Sequence, residues 1–358
     1  MKVAVYALCI NERTFIKNFV DAARDADLIQ LADAGSKDGS VEQARALGAV
    51  VRGVSIRPWR MDDARNVALA LLPDDVDVCV ALDLDTTLQP GWRTALEAAW
   101  VPGTNLAEYP IAAGRRPDGE PILRLDARIH ARHGLRWKGP CDEYLVPDRV
   151  PLNIVRLDPV MMESPPGERG RPEALLILRA LGAQEDPTDA RMAHRHGRAL
   201  RRAGRNAEAL AELERCLTLP GLSDEERNAA LRLTGLCRFA LGDPDGGLAA
   251  LTRATQDAPA LKGAWIDLAF AHYQQQKWAP ALRACLKAMA TPAALSAYDA
   301  VSETGAMPED LAGICAWRMG RRREALDYAR RAVALAPHDA RLASTLRTME
   351  QETAPRRS

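Results

Sequence analysis

Much is absent from this chain of 358 residues, and each absence narrows what it can be. No apolar run approaches the roughly 20 residues that a helix needs to cross a bilayer, so no membrane span is expected. There is no net charge: 48 Lys and Arg balance 48 Asp and Glu. A global electrostatic pull toward nucleic acid or an anionic membrane is therefore missing. No C-x-x-C pair or His/Cys cluster is present, which removes the usual zinc sites. The seven cysteines are odd in number, scattered, and mostly set inside apolar periodic segments. That usage fits reduced thiols in a cytoplasmic protein better than a disulfide frame. Residues 2–8 read as a strand and lack the order of charges, apolar core and small residues that marks a signal peptide.

What is present is ordinary for a soluble protein: 47% apolar and 27% charged residues, in a chain long enough for two domains. The charges divide unevenly. Residues 1–160 carry 20 basic and 23 acidic side chains, a net of −3, and the remainder carries 28 and 25, a net of +3. The pattern changes character near residue 165. Before it, strand and helix signals alternate: strands at 3–8, 28–31, 49–51 and 76–82, helices at 13–26, 40–46 and 63–72. Short apolar strands between helices predict an α/β layer with a largely parallel sheet. Ligands of such sheets bind beyond the carboxyl ends of the strands. The polar signals stand at those ends: Asn11-Glu12, Asp33 to Asp38, and Asp83 with Asp85.

Asp83-Leu84-Asp85 is the sharpest of them. It closes the apolar run Val78-Cys79-Val80-Ala81-Leu82. Side chains alternate along a strand, so both carboxylates are expected to point to one face, where two like charges repel unless a cation sits between them.

The second half is a helical repeat. Gly197, Gly235, Ala269 and Gly313 each precede a second small residue by twelve positions, at Ala209, Gly247, Ala281 and Ala325. A third follows seven later, at Cys216, Ala254, Ala288 and Ala332. Gly204, Gly242 and Gly320 fall at the turns between paired helices. This is the small-residue signature of tetratricopeptide hairpins, which stack and offer a surface to a partner. The intervals are 38, 34 and 44 residues, with insertions at 220–224 and 291–307. The expected division is a sheet domain over 1–165, a connecting helix or linker over 166–189, repeats over 190–350 and a disordered tail over 351–358. Within the first repeat, Arg191, Arg195, Arg198 and Arg202 share one helical face. They suit phosphate or an acidic peptide, or a solvated face opposed by Glu208, Glu212 and Glu214.

Four motifs over residues 3–145 resemble the family 2 glycosyltransferases of GT-A fold. They are Asn11-Glu12, the segment Asp33-Ala34-Gly35-Ser36-Lys37-Asp38-Gly39-Ser40, the pair Arg65-Asn66, and Asp83-Leu84-Asp85. With the repeats, the segments 59–66 and 129–132 look like transferases with C-terminal tetratricopeptide repeats found in bacteria and phages. The resemblance implies a Rossmann-like GT-A domain followed by all-α repeats. It implies an inverting, metal-dependent transfer of sugar from a nucleotide sugar, UDP-linked, with Mn²⁺ or Mg²⁺. Asn11, Glu12, Asp33 and Ser36 would line the nucleotide cleft, Asp38 would hold its loop, and Arg65 would meet the diphosphate. Asp85 would touch the metal, Asp83 the ribose or the metal through water, and His130 the metal or phosphate. The base would be Glu143 or Asp142, in a segment where relatives read W-x-x-P-V-H-E and this chain has Asp142 in place of His. A further His of relatives is also missing, with Glu163 in that stretch. The acceptor is open: a protein, a glycan, or a hydroxymethylated base in phage DNA. The alternative is a repeat scaffold whose transferase domain binds nucleotide without turnover. A nucleotidyltransferase is disfavoured by the lack of a Gly-rich, basic phosphate loop.

Overall fold

The structure is a computed structural model that describes the chain apart from residues 116–118, 120, 159–160, 166–170, 293–297, 299–304 and 354–358. It forms two compact units, one of Met1–Arg115 with Pro121–Gly182, the other built on Ala183–Ser358.

The first unit is a nine-stranded sheet. Strands β1 (Val3–Cys9), β2 (Leu28–Asp33), β3 (Val50–Gly53) and β4 (Val78–Leu82) lie in the order β3-β2-β1-β4, all parallel. Beyond β4 come β5 (Thr87–Leu88), β6 (Leu106–Arg115), β7 (Pro121–Ala131), β8 (Leu135–Lys138), β9 (Tyr144–Pro147), β10 (Ile154–Arg156) and β11 (Met162–Glu163). The sheet continues β4-β7-β6-β11-β5, with β10 also on β6, while β8 and β9 form a separate ribbon. β7 runs antiparallel to both β4 and β6. The expected largely parallel sheet therefore holds for the first four strands only, and the whole is mixed. Few residues separate β6 from β7, too few for the crossover that a parallel pair requires.

Helices α1 (Arg13–Ala22), α2 (Ser40–Ala46), α3 (Met61–Ala70) and α4 (Trp92–Ala99) cover the parallel strands. Strand alternation divides the core in two. Val3, Val5, Ala7 and Cys9 pack with Ile16, Phe19 and Val20 of α1 and with Trp92 and Leu96 of α4. Ala4 and Tyr6 face the other way, onto Ala68 and Leu69 of α3 and onto Trp137 and Leu145 of the ribbon.

His130 belongs to that second layer. It is fully buried, 3.0 Å from the Tyr6 hydroxyl through Nε2 and 2.8 Å from the Ala131 carbonyl through Nδ1. Since a carbonyl only accepts, Nδ1 carries the proton and Nε2 accepts from Tyr6. Tyr6 accepts in turn from Trp137 Nε1 at 2.7 Å. The His130 ring also stands edge-on to both aromatics, at 5.9 Å. The expected metal or phosphate ligand is thus a satisfied core histidine, with both nitrogens in use. Burial holds its pKa down at about 4.

Helix α5 (Pro172–Glu185) crosses the boundary between the units, so most of the expected linker is helical. The second unit then pairs α6 (Ala190–Arg202) with α7 (Asn206–Thr218), α8 (Asp224–Ala240) with α9 (Pro244–Asp257), α10 (Lys262–Gln274) with α11 (Trp278–Ala290), and α12 (Met307–Arg318) with α13 (Arg322–Leu335). α14 (Ala340–Thr353) packs Met349 and Leu346 on the last pair. Residues 351–353 of the expected tail are therefore helical, and 354–358 lie outside the described residues. The small-residue positions are the points of closest helix approach. A Cβ at Gly235 would stand 2.8 Å from Leu251 Cγ and 3.0 Å from the Gly247 carbonyl, and one at Gly197 2.8 Å from Leu213 Cγ. Gly204, Gly242 and Gly320 take φ of +77°, +79° and +76° at three of the hairpin turns. In the third hairpin that role falls to Gln276, at φ +56°. Within the 220–224 insertion, Ser223 closes a capping box with Glu226 at the start of α8. All seven cysteines are free and buried, as their periodic settings suggest. Among the described residues no helix is long and apolar enough to cross a membrane.

Three outcomes are expected. Gly235→Ala overpacks the second hairpin and lowers stability by about 1–3 kcal/mol in urea denaturation. Gln276→Gly relieves a left-handed non-glycine residue and raises it by up to about 1 kcal/mol. His130 stays neutral in the folded chain down to about pH 4, whereas it protonates near pH 6.5 when unfolded. The unfolded state binds more protons in that window, so stability falls as pH drops from 6.5 toward 4. Urea midpoints should decline over this range, and less steeply for His130→Phe.

Candidate functional site

The parallel order puts the carboxyl ends of β2, β1 and β4 side by side, and the loops that leave them carry three of the four sequence motifs. The first two loops are tied together by polar atoms. Asn11 NH donates to Ser36 Oγ at 2.9 Å, and Asn11 Oδ1 accepts from Lys37 NH at 2.8 Å. Glu12 NH reaches Ser40 Oγ at 3.0 Å. Asp38 accepts from Arg13 NH and from Ser40 NH, each at 3.0 Å, which makes it the loop-holder expected. Asp33 accepts from Gly35 and Ser36 NH at 3.0 and 3.1 Å. A carboxylate retains further acceptor capacity beside two such bonds. Asn11 sits at φ +54° and is exposed at the rim. Glu12 occupies the N-cap of α1 without a side-chain cap bond.

The third loop departs from the strand argument. β4 ends at Leu82, so Asp83-Leu84-Asp85 is a turn and no longer alternates. Leu84 is 2% exposed in the core, and Asp83 and Asp85 are half-buried. Two cations already serve Asp83, and both come from the chain itself. Arg65 Nη2 donates to its Oδ1, and Arg128 Nη1 to its Oδ2 at 3.0 Å.

Arg65 is fully buried. Its guanidinium also donates to the Leu82 carbonyl at 2.8 Å and to Glu143 Oε1 at 3.1 Å, and it lies 5.7 Å from the Trp137 ring centroid. Burial pulls its pKa down, but Asp83 and Glu143 outweigh that and hold it above the ordinary arginine value. The expected contact between Arg65 and a diphosphate is therefore corrected: the side chain is fully buried, and each of its three nitrogens donates inside the protein. Neighbours on α3 act with it. Asn66 pairs with both backbone groups of Trp137, at 2.8 and 2.9 Å, and Asp62 accepts from Gly139 NH at 2.9 Å. Asp62, Arg65 and Asn66 fall at i, i+3 and i+4, one helical face. That face holds residues 137–143 in place.

The two expected bases are both engaged. Glu143, with a side chain 4% exposed, is bound to Arg65. Asp142 takes a bidentate grip from Arg179 of α5, at 2.7 and 3.1 Å. Glu163 is held bidentately by Arg115 at 3.0 and 3.1 Å.

The sequence reading missed the strand that completes the cleft. Asp83 and Thr86 line it together with Arg124, Asp126 and Arg128 of β7 and with Ser164. The β6–β7 register slips here: Ala107 pairs with Ile129 but Tyr109 with Asp126, an extra residue on β7. Bulges re-aim side chains in this way. The signal available was the polar alternation Arg124, Asp126, Arg128 within an otherwise apolar segment. Asp126 stands 3.6 Å from Arg128 Nε. The lining charges balance, Asp83 and Asp126 against Arg124 and Arg128, with Asp85 on the same turn as Asp83. Among the described residues no three His, Cys, Asp or Glu side chains group as metal ligands. Mg²⁺ bound with a nucleotide needs only one or two carboxylates beside phosphate oxygens and water. Asp85 fits that donor set, and Asp83 fits it less well with both oxygens already accepting.

On the repeat unit, the acids expected to oppose the arginine stripe are committed elsewhere. Glu208 pairs with Arg205, Glu212 with Arg215, and Glu214 with Arg238. Arg191 reaches past α7 to Glu226 of α8, at 2.6 Å.

No protein-family model matches the chain, and no curated protein matches it. Solved structures with some likeness include a crystal structure of MamA protein, at 16% identity and TM-score 0.38 over 48% of this chain and 85% of that one. YrrB, described as a TPR protein with an unusual peptide-binding site, gives 17% identity and TM-score 0.39 over 49% and 84%. A thermophilic TPR protein of Thermus thermophilus gives 18% identity and TM-score 0.38 over 51% and 92%.

Proposed function

We propose that the first unit is an inverting glycosyltransferase that takes its sugar from a nucleotide diphosphate donor, UDP-linked, together with Mn²⁺ or Mg²⁺. The observation that carries this reading is the convergence of the β1, β2 and β4 end-loops beside the charge-balanced cleft of Asp83, Asp126, Arg124 and Arg128. Open α/β sheets bind nucleotides at such an edge. A cleft with balanced charge offers little to a bare diphosphate, whereas a diphosphate that brings its own dication enters nearly neutral. Asp85 would hold that dication, with Asp83 beside it. When bound, it would neutralise the charge that develops on the departing diphosphate.

The chain's own residues have three tasks. Asn11 at the exposed rim, and Asp33 buried at the end of β2, would offer acceptors for the base and ribose. Arg124 and Arg128 supply donors to phosphate oxygens in charge-assisted contacts. Asp126, which lines the cleft with Arg124 and Arg128, would take the proton of the incoming hydroxyl in place of Asp142 and Glu143, which do not line it. Arg65 acts through others: it sets Asp83 and Glu143 without touching substrate. The acceptor would be a protein or glycan, with the hydroxymethylated base of phage DNA as a lesser choice.

A second reading has an observation of its own. Both expected bases, Glu143 and Asp142, are paired with arginine, and so are Asp83 and Glu163. That favours an interaction scaffold that holds nucleotide without turnover.

Isothermal titration of the full chain with UDP, with and without Mn²⁺, and then UDP release from a panel of UDP sugars, separates the two. Metal-dependent binding with release supports the transferase. Binding without release supports the scaffold, and no binding removes both. Asp85→Asn should weaken Mn²⁺-dependent UDP binding at least about tenfold while leaving the melting temperature unchanged. Glu143→Gln strips a buried cation of one partner and should lower stability by about 1–3 kcal/mol. An unchanged urea midpoint would contradict the bridging role of Arg65.

A further inference from the structure

Two arginines answer Asp83, and they are not held alike. Arg65 is fully buried, and its nitrogens are divided among Asp83, Glu143 and the Leu82 carbonyl. Arg128 stands on the cleft wall with its side chain 25% exposed. Its Nη1 donates to Asp83 Oδ2 at 3.0 Å, and its Nε lies 3.6 Å from Asp126 Oδ2. The Arg128 NH donates to the buried Tyr109 hydroxyl at 3.2 Å, so the main chain is anchored where the guanidinium enters the cleft.

A guanidinium therefore bonds each oxygen of Asp83. A dication brought to that carboxylate meets two positive charges at close range, and repulsion opposes it. Of the two arginines, Arg128 can leave at lower cost. Drawing Arg65 off Asp83 would leave a guanidinium nitrogen unbonded inside the core. Drawing Arg128 off leaves it beside Asp126 and open to a phosphate oxygen, with which guanidinium forms strong charge-assisted bonds. Arg124 provides a contrast on the same wall. It is exposed, and it makes no hydrogen bond or ion pair among the described residues.

We propose, resting on the nucleotide-sugar reading above, that Arg128 is an exchangeable counter-ion. It neutralises Asp83 while the cleft is empty, keeps a bare dication off that carboxylate, and passes to the diphosphate when nucleotide and metal enter together. The empty cleft then takes Mn²⁺ alone poorly, and nucleotide and metal each strengthen the binding of the other by one shared factor.

The test uses the full chain in about 0.15 M salt, where charges off the site are screened. Affinity for Mn²⁺ alone is read by electron paramagnetic resonance of the free ion. UDP affinity with and without Mn²⁺ is read by isothermal titration. Arg128→Gln should bind Mn²⁺ alone at least about fivefold more tightly than the unsubstituted chain, and the factor by which Mn²⁺ tightens UDP should shrink to match. Arg124→Gln removes an equal charge from the same cleft without a bond to Asp83, and should change the affinity for Mn²⁺ alone by less than about twofold. Equal affinity of the unsubstituted and Arg128→Gln chains for Mn²⁺ alone, including no measurable binding by either, overturns the proposal. An equal gain from Arg124→Gln overturns it too. If Arg128→Gln disturbs the melt, Arg128→Lys keeps the charge but lacks the fork that spans Asp83 and Asp126. It should tighten Mn²⁺ alone about two- to fivefold, and no change would count against the counter-ion. Loss of the nucleotide reading looks different. A chain that never binds UDP with Mn²⁺ has no nucleotide site, and this role falls with it. Intact UDP binding beside an unchanged affinity for Mn²⁺ alone in Arg128→Gln removes only the counter-ion.

Discussion

A guanidinium with no access to water organises the candidate site. An arginine does not give up its proton in a protein, so burying one obliges the fold to surround it with acceptors. Arg65 meets that demand with the Leu82 carbonyl, Asp83 and Glu143. Those partners come from the end of β4 and from the segment after β8. The constraint thus fixes the turn that carries Asp83 and Asp85 relative to residues 137–143. Asp62 and Asn66, on the same face of α3, complete the clamp through backbone groups of Gly139 and Trp137. Removing the cation would leave Glu143 buried without this partner and Asp83 held by Arg128.

Beneath this charged layer the sheet solves a second polar problem without charge. His130, Tyr6 and Trp137 form a chain of donors and acceptors that ends on a carbonyl, so each buried polar atom of the chain is satisfied. Such a network costs nothing in unpaired groups and specifies how the ribbon of β8 and β9 seats on the sheet. A histidine in a motif-bearing segment is in this way structural. In the repeats the governing constraint is steric instead. Glycine at positions 197 and 235 lets one helix backbone approach the next more closely than a methyl group permits.

The sequence was informative where a signal is local. Strand and helix alternation placed the first seven elements to within a few residues, because apolar periodicity reports which face is buried. The small-residue offsets found the hairpins, because each offset records a contact inside one repeat. Asp38 as a loop-holder was also legible, since Asp commonly bonds backbone groups a short distance away, here Ser40 NH. The roles of Arg65, Glu143, Asp142 and His130 were not. Each is decided by a partner 37 to 124 residues distant along the chain, and no spacing rule reaches that far. Arg128 and Asp126 alternate with Arg124 along β7, but what brings that strand beside the Asp83 turn is its antiparallel pairing with β4, and no local signal reports such a pairing.

By itself the sequence determined the two-part architecture, the parallel core of the first unit, the hairpin register of the second and the collection of polar residues at the strand ends. Tertiary structure alone decided the electrostatics. The like charges of Asp83 and Asp85 were visible in one dimension as a pair in need of a cation, yet the cations that answer Asp83 arrive from α3 and β7. Charge is compensated across space and not along the chain, so the identity of a carboxylate could be read from its neighbours in sequence, but its availability could not.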